Sequence, residues 1–567
     1  MLTSVELENF KGISERVRIE LRPVTLLFGP NSAGKSTFLQ ALVYLREILN
    51  TYNIDPDTTE AGGGAVDLGG FRNLLHMHDT SRRMRFSVSF ERSIGSLSQR
   101  ENEILTKAIK HEENRAIIPF QSWEVEFELA WQPLGGAPTI TRIVVRANNS
   151  HLATVSAPVD GKSVIISELN LLHPFFMTAS DVERVEEWEA EQKEGNKDAL
   201  SMLDFEQIVT ELFSTPDPIP TNLTAEISSN AAPRTSALRI PIRSAVGALP
   251  RISEPFTFDE DKILSTFEGR IPNLSLRDGW PEHLPISFDD VQDLLTGAIL
   301  TPLRELRAEL NSLLYLGPLR EFPARQFFSP RTKDSARWAS GLGAWDLLHK
   351  NSALLIEEVN KWLQDPDRLN TGYSLKVNAV KELSADHELL ISIEKGSLYD
   401  DFENVADEFR KLPERKEVLL LDHSTGAELV SHDIGTGISQ VLPVVVAALQ
   451  SDLGFVAIEQ PELHIHPAMQ VALGDLFLHE IRNGEKQFLL ETHSEHLMLR
   501  ILRRIRETNT RQLPPGAVGA SVGDMSVVYV EGEGAQVKIH QLRITEDGDF
   551  QDRWPKGFFS ERAKELF

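Results

Sequence analysis

Three short stretches carry residue types that could do chemistry at the spacing chemistry requires. The first is Gly29-Pro30-Asn31-Ser32-Ala33-Gly34-Lys35-Ser36-Thr37, a complete GxxxxGK[ST] pattern after the apolar run Val24 to Phe28. Such a loop turns backbone N–H groups and a helix start toward an anion, and side chains at the glycine positions would obstruct its approach. The pattern assigns Lys35 to the β- and γ-phosphates of a nucleotide and Ser36 to Mg²⁺, with Gly29, Asn31, Ser32, Ala33, Gly34 and Thr37 completing the cradle. The second is Phe455-Val456-Ala457-Ile458-Glu459-Gln460-Pro461-Glu462, an apolar strand with an acidic end. Beside a phosphate loop, a carboxylate ending such a strand enters the Mg²⁺ shell, and Glu459 takes that role. A hydrolysing site places a glutamate next to it to activate water; here Gln460 stands there, and an amide cannot accept a proton as a carboxylate does. Glu462 is the nearest alternative base. The third is Gln487-Phe488-Leu489-Leu490-Glu491-Thr492-His493-Ser494, where a histidine at the carboxyl end of a strand near the phosphates can contact the γ-phosphate, and His493 is assigned to it.

These stretches need elements that hold them. Val5 and Leu7, then Val17, Ile19 and Leu21, alternate in strand fashion before the buried run that delivers the loop. From Ser36 to Leu49, Phe38, Leu39, Leu42, Leu45 and Ile48 fall near one helical face. Strands are expected at 85–90, 123–129 and 139–146, forming an antiparallel lobe. A charged helical segment at 182–213 and a Pro/Ser-rich stretch at 215–254 read as an inserted lid or arm, with heptads too poor for a long coiled coil. Amphipathic helices are expected at 295–314 and 344–363. His464 and His466 alternate in a short loop without a third ligand and read as structural.

Composition narrows the classes. The 567 residues allow a nucleotide-binding core with one or two further modules at roughly 150 residues each. Cysteine is absent, which removes disulfides, thiolate metal sites and thiol nucleophiles. No run approaches the roughly 18 apolar residues of a membrane span, and the N-terminus lacks the basic-then-apolar pattern of a signal peptide, so a cytoplasmic protein is expected. The formal net charge of -26 opposes non-specific attraction to nucleic acid. Arg500, Arg503, Arg504, Arg506 and Arg511 form the one basic cluster that could touch DNA, against the alternative of a solvated face paired with local acids.

The segment Asp433-Ile434-Gly435-Thr436-Gly437-Ile438-Ser439-Gln440, followed by EQPELHIHP and ETHSEHL, resembles the ABC/SMC-like P-loop ATPases of the RecF and OLD type. The resemblance implies an α/β ATPase head, a mixed sheet with a P-loop core and an antiparallel lobe, carrying an inserted domain and a short C-terminal extension. It implies ATP and Mg²⁺ as ligands. It makes Gly435, Gly437, Ser439 and Gln440 a signature-like loop that caps the ATP of a second subunit, as a glycine-led helix N-terminus suits physically. ENFKGI, GPLREFPAR and DRWPKGFF look like bacterial defence-type ATPases ending in a small domain of unknown function, without a TOPRIM nuclease domain.

The expected division is 1–150 and 301–515 for the two parts of the head, 151–300 for the insert and 516–567 for a small C-terminal domain. The function implied is a slow, ATP-gated dimeric or higher oligomeric switch in anti-phage defence, with a separate nuclease or other effector chain. A RecF-like DNA repair ATPase is the first rival, and a scaffold that binds ATP with little hydrolysis is the second, suggested by Gln460.

Overall fold

The computed structural model describes residues 1–58, 66–91, 122–159 apart from 134, 164–170, 236–257, 288–323, 335–350, 353–384, 414–450, 454–483, 486–533 and 536–555, with scattered positions between 385 and 412. They fall into two compact units. One takes the described residues within 1–313 and 526–542 and from 553 onward; the other takes those within 314–525 and 543–552.

The first unit is built on an eight-stranded antiparallel sheet. Its strands are β1 (Leu2–Glu8), β2 (Val17–Glu20), β4 (Met84–Glu91), β5 (Ser122–Gln132), β6 (Ala137–Ala147), β7 (Ser150–Ser156), β8 (Ile165–Leu169) and β9 (Ser236–Pro241), in the order β2-β1-β4-β5-β6-β7-β8-β9. Period-two alternation fixes its faces. In β5, Trp123, Val125, Phe127 and Leu129 are buried, while Glu124, Glu126 and Glu128 line the other face and meet Arg146, Arg16, Arg83 and Arg85 from neighbouring strands or loops. A small hairpin, β10 (Ser244–Val246) and β11 (Leu249–Pro250), follows. Strand β3 (Val24–Phe28) lies beside β18 (Met525–Glu533), which pairs antiparallel with β19 (Gln536–Leu542). Among the described residues the unit also has helices α1 (Lys35–Thr51), the short α2 (Phe71–Leu74) and α3 (Phe288–Asn311), with α3 packed on α1 and on β5, β6 and β7.

In the second unit β12 (Leu313–Leu316), β16 (Phe455–Glu459) and β17 (Gln487–Glu491) run side by side in that order, with β16 and β17 parallel and Glu459 in register with Glu491. All five residues of β16 and of β17 are buried, as strands covered on both faces must be. A second sheet, β13 (Tyr373–Lys381), β14 (Glu414–Asp422) and β15 (Glu428–Leu429), is antiparallel. Its described helices include α4 (Ser335–Ala339), α5 (Leu342–Lys350), α6 (Ala353–Gln364), α7 (Thr436–Leu449), α8 (Pro467–Asn483) and α9 (Glu495–Asn509), with α7 packed against α5, α6, α8 and β16.

The chain is therefore α/β, with parallel and antiparallel strands. The units cut it differently from the expected four segments. Within the described part of 151–300, β7, β8 and β9 extend the antiparallel sheet, their inward residues continuing its apolar face. The charged segment at 182–213 lies outside the described residues, as does the Pro/Ser-rich stretch as far as 235. Within 516–567, β18 and β19 sit beside the phosphate-loop strand, and the Trp554 ring meets Phe28 edge-on at 5.5 Å. The expected second long helix is two, α5 and α6. Among the described residues no helix is long and apolar enough to cross a membrane.

Candidate functional site

In the first unit, buried β3 ends at Phe28, the loop begins at Gly29, and the chain re-enters the fold as α1, whose N-cap is Gly34. Gly29 has φ +148° and Gly34 φ +95°, conformations that a side chain would strain. A Cβ at Gly29 would also stand 2.2 Å from the Val530 carbonyl oxygen on β18. The hairpin that follows β18 supports the loop further, with Val537 against Gly12 and Gly34 and Gly532 against Ala33. Sequence reasoning missed this support, although the alternating VVYVEGE of β18 signals a strand.

No side chain caps α1, so its N-terminus keeps the anion-binding character of a bare helix start. Lys35 is buried and its Nζ donates to the carbonyl oxygens of Gly29 at 3.1 Å and Pro30 at 2.9 Å. Asn31 and Ser32 form the exposed rim, Ser36 is half-buried, and Ala33 and Thr37 are buried beneath. The loop fits phosphate: fixed glycines, an uncapped helix start and a lysine held along the loop backbone.

In the second unit, the carboxyl ends of β16 and β17 gather the remaining candidates. Glu459 is buried, and its Oε1 accepts from the Tyr315 hydroxyl at 2.6 Å. Burial, then the Glu459 and Glu491 carboxylates, push the Tyr315 phenol far above its ordinary value, so it remains a donor. Gln460 has φ +46°; its N–H donates to the Glu491 carbonyl at 2.7 Å, and its own carbonyl accepts from Arg320.

Glu462 is tied down. Its Oε2 accepts from the Thr492 hydroxyl at 2.8 Å and its Oε1 from the His493 N–H at 2.7 Å. Burial pushes its carboxyl up, opposed chiefly by that His493 N–H. Ser494 caps α9 by accepting from the Leu497 N–H at 3.0 Å, which leaves half-buried His493 between two anchored neighbours. His466 caps α8 by accepting the Ala468 N–H at 3.2 Å.

The signature-like loop divides in two. Gly435 and Thr436 are exposed and nothing lies within 4 Å of a Cβ built at Gly435, whereas Gly437 is half-exposed. Ser439 and Gln440 are buried: the Ser439 hydroxyl donates to the Thr436 carbonyl at 2.8 Å, and the Gln440 amide donates to the Arg320 carbonyl at 2.9 Å. One turn into a packed helix, they face inward, so the surface open to a partner is Gly435 to Gly437.

Among the described residues no three His, Cys, Asp or Glu side chains cluster as a metal cage. Ser36 in the first unit and Glu459 in the second each offer an oxygen donor of the kind that Mg²⁺ takes. The arginines of α9 are matched by local acids: Arg500 and Arg504 by Asp475, Arg503 by Glu507 and Arg506 by Asp549.

Two family models match the chain. Residues 1–132 match one described as "AAA ATPase domain", and residues 299–499 match one described as "AAA domain, putative AbiEii toxin, Type IV TA system". No curated protein matches it. Solved structures that align with it include SMC head domains, each at a TM-score too low to carry argument. That from Pyrococcus furiosus, bound to the C-terminal domain of ScpA, is 9% identical and covers 100% of this chain and 98% of its own, at a TM-score of 0.36. Those from Pyrococcus yayanosii and Thermotoga maritima are 10% and 9% identical, cover 100% and 96% of this chain and 99% of their own, at 0.36 and 0.34. The family matches hold both the phosphate loop and the strand ends just described, and they support an ATPase.

Proposed function

We propose that this protein is an ATP-gated switch of the ABC/SMC-like kind, in which two copies close on ATP and slow hydrolysis reopens them. In the first unit, Lys35 and the loop N–H groups would bind the phosphates and Ser36 would give Mg²⁺ a hydroxyl oxygen; in the second, the role of Glu459 would be a carboxylate ligand to Mg²⁺, that of His493 a γ-phosphate contact, and that of the Gly435 to Gly437 turn to cap the nucleotide of another copy. Bound Mg²⁺ neutralises charge on the phosphates. The observation that carries the reading is the pairing of a complete phosphate loop with a missing base. Gln460 cannot take a proton from water, and both oxygens of the alternative, Glu462, already accept hydrogen bonds. A head built this way holds ATP far longer than it takes to bind it, as a switch requires.

By the sequence resemblance, the switch acts in bacterial anti-phage defence on a separate nuclease or other effector. The paired α9 arginines give no support to DNA contact on that face. The test is steady-state phosphate release with Mg²⁺-ATP. The parent is expected to be slow, and Gln460→Glu to accelerate release by about 100-fold, the lower end of what a positioned base contributes. A Gln460→Glu rate equal to the parent's would count against the missing-base account. Release no faster than that of Lys35→Ala, with ATP still bound, would favour a scaffold that binds ATP without turning it over.

A further inference from the structure

Strand β12 and the turn that follows it contain a second device aimed at Glu459. A glutamate at a strand end can swing about its side-chain torsions, whereas a metal ligand must present one oxygen at one place. Tyr315 removes that freedom: its hydroxyl donates to Glu459 Oε1 at 2.6 Å, from a residue only 6% exposed, where water does not compete. Arg320 fixes the backbone beneath. Its guanidinium donates to the carbonyls of Glu459 at 2.7 Å, Gln460 at 3.1 Å and Gln440 at 3.5 Å, and its own carbonyl receives the Gln440 amide at 2.9 Å. Its stem is held by Gly341, where a Cβ would stand 3.1 Å from that of Arg320. The end of β16 and the start of α7 are thus fastened to one residue, and a planar fork is the group that can reach three carbonyls at once.

We propose that Tyr315 is a positioning residue that aims the Glu459 carboxylate at Mg²⁺, and that Arg320 locks the strand end carrying it to the signature-like helix. This rests on the ATP- and Mg²⁺-binding reading above. The two residues act through Glu459 and the backbone that carries it.

The experiment titrates a fluorescent ATP analogue into the full-length chain, once with Mg²⁺ and once with EDTA, and reads the ratio of the two Kd values. The parent is expected to bind more tightly with Mg²⁺. Tyr315→Phe should cut that advantage by about tenfold, the lower end of what loss of a metal ligand's partner costs, and leave the EDTA value unchanged. Glu459→Gln should lose it, and Tyr315→Phe added to Glu459→Gln should cost nothing more. Arg320→Lys, which keeps the charge and loses the fork, should also reduce the advantage. If that buried substitution unfolds the protein, Tyr315→Phe, which removes a single oxygen, decides alone. A Tyr315→Phe ratio equal to the parent's, or a further loss in the Glu459→Gln background, overturns the proposal while the nucleotide reading stands. So does a parent that binds equally well with and without Mg²⁺. A parent that binds no nucleotide, or binds it regardless of Lys35→Ala, overturns both.

Discussion

At Glu462 the carboxylate that the sequence offers as a spare base holds two loops together. The Thr492 hydroxyl and the His493 N–H both end on it, and Thr492 is fully buried. Removing a shared acceptor leaves buried donors unsatisfied, so Glu462→Ala should destabilise the protein by about 2 kcal/mol in urea unfolding. A change below about 0.5 kcal/mol, within the range of ordinary surface substitutions, would mean the loops do not depend on it. Residue types and spacing single out Lys35, Ser36, Glu459 and His493 as candidates, because phosphate and Mg²⁺ chemistry leaves little choice of residue type in such motifs. Tyr315 and Arg320 were not legible. Nothing in LLYLGPLR marks a hydroxyl or a guanidinium as meeting a strand end about 140 residues away, since such contacts exist only after folding. Ser439 and Gln440, read with Gly435 and Gly437 as one signature-like loop, are buried because they already belong to α7.

Among the elements, β3, α1, β16 and β17 could be read from their patterns, since continuous apolar runs and helical spacing are strong local signals. The β18–β19 hairpin and its support of the phosphate loop were not expected from the sequence, which marked 516–567 only as a small C-terminal domain. That relation predicts a cost at Gly29. Gly29→Ala places a Cβ 2.2 Å from the Val530 carbonyl oxygen and forces an unfavourable φ, so about 3 kcal/mol of stability should be lost. An unfolding midpoint equal to the parent's would mean that loop and hairpin do not press on each other. A second test concerns the buried ion pair of Glu480, on α8, with Lys486, which precedes β17: Lys486 Nζ lies 2.6 Å from Glu480 and also donates to the Ala448 carbonyl of α7. Burial would raise the Glu480 carboxyl, but hydrogen bonds from His479 and Lys486 hold it below its ordinary 4.5. A lowered carboxylate adds stability above about pH 4.5, and that stability is lost as pH falls through the folded value. Glu480→Gln should therefore cost about 3 kcal/mol at pH 7, with a gap to the parent that narrows in acid. A gap independent of pH would contradict the assignment.

On the scale of the whole molecule, the charge of -26 and the paired arginines of α9 disfavour a nucleic-acid grip on that helix. The α/β class was legible because strand-like and helix-like patterns alternate around the motifs. The extent of the antiparallel sheet was not, because weak, irregular spacing after residue 150 hid three more of its strands. The central claim is that ATP joins two copies. The measurement is the mass of the purified chain by light scattering, with and without Mg²⁺-ATP, for the parent, Lys35→Ala and Thr436→Arg, the last a substitution at an exposed helix start. The account predicts that ATP doubles the parent's mass or raises it further in even steps, and leaves both variants unchanged, with Thr436→Arg still binding ATP. A mass that ATP does not alter, or one that rises equally in all three proteins, would contradict it.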